Sequence, residues 1–104
     1  MQRTFINFDF YKCNYNNGIN EVINKIADYY HLEIESESKN SEQNCYFLSN
    51  VKNDFIVNLV VYEHYVSVDL LTYKKIDEYQ FEKFIQKCFA ADRVEKNKSV
   101  KKFY

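Results

Sequence analysis

Two segments with helical apolar stripes, set among runs of alternating β-forming residues, predict an α+β fold: a two-layer sandwich of ferredoxin-like type, its antiparallel sheet carrying both helices on one face. The segments run strand, helix, strands, strand hairpin, helix, strand. No repeat, linker or low-complexity stretch interrupts them, so the 104 residues suit one domain spanning 1–104.

Residues 3–12 (RTFINFDFYK) are rich in β-formers, with polar Asn7 and Asp9 on alternate positions, and predict a strand. Asn16-Asn17-Gly18 is a turn signal leading into a helix over 19–30. Ile19, Val22, Ile23, Ile26, Ala27 and Tyr30 give that helix one apolar stripe, and His31 ends it, where the dipole favours positive charge. Residues 32–37 (LEIESE) alternate as a strand, 38–44 form a polar turn, and 45–49 (CYFLS) form the return strand. After a turn at Lys52-Asn53-Asp54 come the strongest strand signals, 55–62 and 65–73. Only Glu63 and His64 separate them, which predicts a tight hairpin. Asp77 is placed to cap a second helix, with Gln80 completing a capping box. Phe81, Phe84, Ile85, Cys88 and Phe89 form its stripe, and 93–103 closes the chain as an edge strand.

Composition excludes several functions. There is one glycine and no proline, so neither a Rossmann fingerprint nor a P-loop exists, and the glycine-rich methyltransferase loop is ruled out with them. Ten Tyr and nine Phe supply a core despite the short length, and some suit a pocket for a flat ligand. The net charge of −1 divides into +4 over residues 93–104 and −5 over the rest. That basic end reads either as a solvated strand or as a phosphate contact, and no nucleic-acid partner is expected. Cys13, Cys45 and Cys88 stand far apart, which predicts no structural zinc site, and the odd count without a leader predicts a reducing, cytoplasmic setting. No run approaches the ~20 apolar residues of a membrane span. With only two histidines and no carboxylate cluster, no metal site is expected.

Candidate chemistry concentrates on the second hairpin. In strand 65–73, Val66, Val68, Leu70 and Thr72 point one way, under the helices. Tyr65, Ser67, Asp69, Leu71 and Tyr73 point the other. Such a face is either a half-solvated sheet surface or a polar-aromatic pocket wall. Asn58 sits between Ile56 and Val60 on its own strand face, as a paired amide or a ligand contact. The turn Tyr62-Glu63-His64-Tyr65 collects an acid, an imidazole and two phenols, as an exposed turn or as acid–base groups.

At this hairpin the sequence resembles the prokaryotic S-adenosylmethionine decarboxylases. Their Trp-Pro-Glu, short turn with a Tyr, and Val-Asp-Leu-Phe-Thr-Cys-Gly are similar to Val61-Tyr62-Glu63 and Tyr65-Val66-Ser67-Val68-Asp69-Leu70-Leu71-Thr72-Tyr73, followed in register by the second helix and the basic last strand. Their Asp-Leu-x-Gly-Cys is similar to Asp9-Phe10-Tyr11-Lys12-Cys13. The departures are specific. The family's self-cleaving Glu-Ser-His, source of its pyruvoyl group, falls on Asn53, Asp54 and Phe55. Its catalytic histidine falls on Leu59 and its cysteine acid on Tyr73, while the ribose-binding glutamate is retained as Glu63.

Ligand binding kept and decarboxylation lost also resembles the small, PII-like S-adenosylmethionine lyases of phage type. Their relatives act on the AMP conjugate of S-adenosylmethionine, a second messenger of type III CRISPR antiviral defence. The resemblance implies a cofactor-free lyase releasing a methylthioadenosine product and homoserine lactone. It also implies a homo-oligomer, trimer favoured, with the ligand between subunits. Glu63, Tyr62 and Tyr73 are the catalytic candidates; Tyr65, Ser67, Asp69, Asp54 and Asp9 are the substrate-binding ones. Two further readings stand beside it: an inactive decarboxylase homologue that binds ligand or regulates a partner, and a plain interaction module.

Aspartate cannot rearrange to a pyruvoyl group. Intact mass spectrometry should therefore return the full, uncleaved chain; a cleaved chain with a blocked new N-terminus would overturn the assignment at Asp54.

Overall fold

Strand β1 (Gln2–Tyr11) lies inside the sheet, antiparallel to β5 (Tyr65–Thr72) on one side and to β6 (Arg93–Lys102) on the other. The computed structural model describes residues 2–15 and 18–102. Asn16 and Asn17 of the expected turn lie outside the described residues, as do the side chains at 98–102 of the basic end. Helix α1 (Ile19–Tyr30) follows β1. The chain then meanders back through β2 (Glu33–Lys39), β3 (Asn44–Ser49), β4 (Phe55–Val61) and β5, crosses helix α2 (Glu78–Phe89) and ends in β6. The order is β2-β3-β4-β5-β1-β6, antiparallel at every junction. The four strands β4, β5, β1 and β6 with the two helices are the ferredoxin-like unit, and β2–β3 extend one edge of it.

Alternation decides which face is covered. Every second residue of β4 and β5 is buried, from Phe55 to Val61 and from Val66 to Thr72. Ile6, Phe8 and Phe10 of β1 join them, facing Ile23 and Ile26 of α1 and Phe81, Ile85 and Phe89 of α2. Aromatic rings make much of this layer, with Phe81 against Phe8 at 5.5 Å and against Tyr30 at 5.3 Å. Strand β2 is exposed along its whole length. Among the described residues, no helix is long and apolar enough to cross a membrane.

The helix ends depart from expectation in two ways. Asp77 caps α2, accepting from the Gln80 N–H at 3.0 Å. Gln80 does not return the bond, so the capping box is half made. Its amide instead donates to Tyr29 Oη at 2.8 Å and accepts from Tyr30 Oη at 3.1 Å, tying α2 to the end of α1. The second departure follows from the scarcity of glycine. Both helices end in a left-handed residue, yet the residues there are His31 (φ 57°) and Ala90 (φ 49°). A Cβ in that region costs about 1–2 kcal/mol.

The two ends of α2 should respond with opposite sign. Ala90→Gly removes the left-handed penalty and should raise stability by about 1 kcal/mol. Asp77→Ala loses the cap and should cost about 1 kcal/mol. Urea denaturation of both variants checks this.

Candidate functional site

The β4–β5 hairpin closes through the Tyr62 N–H donating to the Tyr65 carbonyl at 2.8 Å, with Glu63 and His64 at its tip. Two-residue hairpins favour left-handed residues such as Asn-Gly; here neither tip residue has positive φ. The tip is held from outside instead. The His64 carbonyl accepts from the Cys13 N–H at 3.0 Å, and His64 Nδ1 lies 3.4 Å from the Cys13 carbonyl. Burial pushes the Cys13 thiol itself up to about 11. Glu63 is thus an exposed carboxylate on a fixed backbone, its side chain 89% accessible and 3.7 Å from His64 Nε2. With Tyr62 it forms one wall of a polar cleft of about 280 Å³, closed by Tyr15, Ile19 and the Asn40–Asn44 turn.

On the uncovered face of the sheet, register brings the central candidates together. Asn7 stands opposite Asp69, Asp9 opposite Ser67 and Tyr11 opposite Tyr65. The Asn7 amide donates to Asp69 Oδ1 at 2.8 Å and to Ser67 Oγ at 3.1 Å. The Tyr65 hydroxyl donates to Asp9 Oδ1 at 2.8 Å. Tyr65 also joins Tyr62 and Tyr11 in a run of three rings, with centroids 5.4 Å and 5.0 Å apart. The Arg93 guanidinium lies over Tyr11 at 4.3 Å, and the Tyr11 hydroxyl donates to Glu95 at 3.3 Å. Burial, then the Asp9 carboxylate that would repel a phenolate, pushes the Tyr65 hydroxyl up to about 12.

Sequence reasoning missed Asn7, Tyr11, Arg93 and Glu95 as members of this cluster. Asn7 carried a signal, a polar residue alternating with apolar ones. Its partner Asp69 is 62 residues away, and local pattern cannot reveal that pairing.

Asp54 and Tyr73 lie at the other end of the hairpin. Eight residues of strand separate Tyr73 from Tyr65, about 26 Å at the usual rise. Asp54 fastens the β3–β4 turn: its carboxylate accepts from the Asn50 amide and pairs with Lys74 Nζ at 3.4 Å, and its carbonyl accepts from the Tyr73 N–H at 3.0 Å. The Asn50 bond first, and Lys74 next, hold its carboxyl below the usual range. A pyruvoyl group needs a hydroxyl or thiol that can attack its own peptide carbonyl. A turn carboxylate engaged on both sides does not fit that group. Leu59, which the sequence resemblance sets against the decarboxylases' histidine, is fully buried on the helix side. Within one chain, therefore, Glu63, Tyr62, Tyr65, Ser67, Asp69 and Asp9 share one end and the middle of the sheet, while Asp54 and Tyr73 stand apart. Among the described residues, no group of His, Cys, Asp and Glu could hold a metal ion.

The Tyr65–Asp9 bond sets a pH response. Tyr65 is neutral when folded and titrates above its ordinary ~10. The stability this gives is fully present below pH ~10 and is lost as pH rises towards 12. Asp9→Asn removes the repelling charge, so Tyr65 should titrate closer to 10, within the reach of an ultraviolet phenolate titration against a Tyr65→Phe control.

No family model and no curated protein matches this sequence. Among solved structures, the chain is similar to the adenosylmethionine decarboxylase from Aquifex aeolicus VF5, with a TM-score of 0.67 and 16% identity, over 93% of this chain and 88% of that one. At that identity the likeness is one of architecture: the chain has an adenosylmethionine decarboxylase-like fold.

Proposed function

We propose that this chain is a cofactor-free lyase that cleaves S-adenosylmethionine, or its AMP conjugate from type III CRISPR defence, to a methylthioadenosine product and homoserine lactone. The observation that carries this reading is the run of Tyr62, Tyr65 and Tyr11 beside Asp9 on the uncovered sheet face. Aromatic faces stack on adenine and attract a sulfonium, each such cation–π contact contributing about 0.5–2 kcal/mol. The carboxylates Asp9 and Asp69 are already hydrogen-bonded, to Tyr65 and Asn7. That restrains them from over-stabilising the sulfonium in the ground state, which would slow its loss in the transition state.

The reaction balances without a co-reactant. The substrate's carboxylate oxygen attacks its own γ-carbon, a C–O bond forms, the C–S bond breaks, and the sulfur leaves as a neutral thioether. The protein supplies a folded substrate conformation and exclusion of water. Glu63 takes the ribose hydroxyls. The distance from Glu63 to Asp54 and Tyr73 favours a ligand held between subunits, one chain supplying the hairpin tip and its neighbour the other end, in a homo-oligomer with trimer favoured. The fit of this lyase to a cytoplasmic setting rests on its substrate, a cytoplasmic metabolite.

Binding without turnover, in an inactive decarboxylase homologue, is the second reading. It is favoured by Asp54, fixed in a turn, and by Leu59, buried away from the uncovered face.

Incubation with S-adenosylmethionine should yield methylthioadenosine and homoserine lactone, read by chromatography; bound but unchanged ligand would select the second reading. Glu63→Gln weakens the grip on the ribose and Glu63→Ala removes it. A hydrogen bond to a charged group is worth roughly 1.5–3 kcal/mol, so affinity should fall about ten- to a hundred-fold while Tm barely moves. Unchanged affinity in both variants would defeat the Glu63 assignment.

A further inference from the structure

The rings of Tyr30, Phe55 and Phe81, which close the core where α1 stops and α2 starts, form the floor of a hollow of about 330 Å³. It lies on the helix side of the sheet, at the end that holds Asn50 and Lys74, away from Glu63. Phe55 and Phe81 are buried, and Tyr30 and Ile76 pack against the core, so the floor is apolar and fixed. Small-molecule pockets begin at about 300 Å³, so the hollow suits a molecule of one or two rings.

The polar groups that line it divide by role. The acceptors are engaged within the chain. Asn50 Oδ1 accepts from the N–H groups of Asp54 and Phe55, Gln80 Oε1 from the Tyr30 hydroxyl, and Asp77 Oδ1 from the Gln80 N–H. Asp77 is the one carboxylate in the lining, and it sits at the N-terminus of α2, where the helix dipole offsets its charge. The donors are not engaged in the same way. Tyr29 Oη accepts from the Gln80 amide, which leaves its own O–H to give. His31 caps α1 through its backbone N–H, and its imidazole has no partner among the described residues. Lys74 Nζ meets Asp54 at 3.4 Å on a half-exposed side chain and keeps further N–H groups. An apolar floor ringed by unanswered donors is complementary to a flat ring that carries an anion.

We propose that this hollow is a second ligand site, separate from the Glu63 end, that takes a small aromatic carboxylate. The ring lies on Tyr30, Phe55 and Phe81, and the carboxylate accepts from Lys74, His31 and Tyr29. Ring contacts supply apolar burial with a preferred geometry, and hydrogen bonds to an ionised acceptor are stronger than neutral ones. One lysine, already shared with Asp54, matches the single charge of a carboxylate better than the double charge of a phosphate monoester. The site does not rest on the lyase reading.

Benzoate is the probe, and benzamide, the same ring without the charge, is its control. Both are titrated to millimolar concentration into the full-length wild type, Lys74→Gln, Lys74→Arg and His31→Gly, and followed by the backbone amide shifts of His31, Lys74 and Phe81. Benzoate should bind the wild type and shift those amides, with benzamide about tenfold weaker. Lys74→Gln should weaken benzoate about tenfold and Lys74→Arg should restore it, with Tm close to that of the wild type because a half-exposed ion pair adds little. His31→Gly should weaken benzoate while raising Tm, since it removes a donor and relieves the left-handed φ of 57°. A merely structural histidine does not give affinity lost with stability gained. No binding of benzoate, equal binding of benzamide, or unchanged affinity in both Lys74→Gln and His31→Gly would overturn the proposal. Displacement of benzoate by S-adenosylmethionine would overturn it too, by making the hollow part of the lyase's own site. Failure of S-adenosylmethionine to bind or turn over counts against the lyase alone.

Discussion

The position of β1 between β5 and β6 governs the rest of the structure. Two antiparallel ladders meet on this strand, and their register decides which side chains face each other. A slip of one residue would turn Ile6, Phe8 and Phe10 out of the core and Asn7, Asp9 and Tyr11 into it. Burying Asp9 under the helices would desolvate a carboxylate in a layer made almost wholly of apolar side chains, at a large cost. The hydrophobic layer therefore enforces the polar one: because β1 must present Ile6, Phe8 and Phe10 to the helices, it must present Asn7 to Asp69 and Asp9 to Tyr65 on the other face.

Aromatic residues and the near absence of glycine shape both layers. Under the helices, rings of Tyr30, Phe55 and Phe81 pack at 5.3–6.4 Å and seal the end of the sandwich where α1 stops and α2 starts. Gln80 joins that end by hydrogen bonds to two tyrosines, a polar clasp over an aromatic layer. The left-handed positions fall to Lys12, His31, Asn53 and Ala90, each at some backbone cost. The one glycine is placed where φ is ordinary, at the N-cap of α1, so its position draws nothing from glycine's conformational freedom.

The ends of the sheet differ in kind. At the end holding Glu63, the β2–β3 turn, the hairpin tip and the first residue of α1 meet around a polar cleft, and backbone and ring contacts between Cys13 and His64 fix the hairpin tip. At the other end Asp54 is consumed by Asn50, Lys74 and the Tyr73 backbone, leaving a stapled turn. A fold shared with an adenosylmethionine decarboxylase is thus combined with an exposed carboxylate at one end, a tyrosine run on the uncovered face and a stapled turn at the other end.

The sequence by itself determined the elements and the sidedness. Helical stripes and strand alternation are local signals, and the burial of Val66, Val68, Leu70 and Thr72 against the exposure of the residues between them follows from the two-residue period alone. Sequence also placed Glu63 at a hairpin tip and Asp54 in a turn before β4. Tertiary structure decided what local pattern cannot contain. The pairing of Asn7 with Asp69, the arrival of Arg93 over Tyr11, and the diversion of Gln80 from its own helix to Tyr29 and Tyr30 all join residues from separate elements. So does the separation of Tyr73 from Glu63, which share a motif but stand at opposite ends of a rigid strand. Sequence proximity fixes composition along a strand. Only strand order and register, set by the summed burial of the whole core, bring distant side chains within bonding distance.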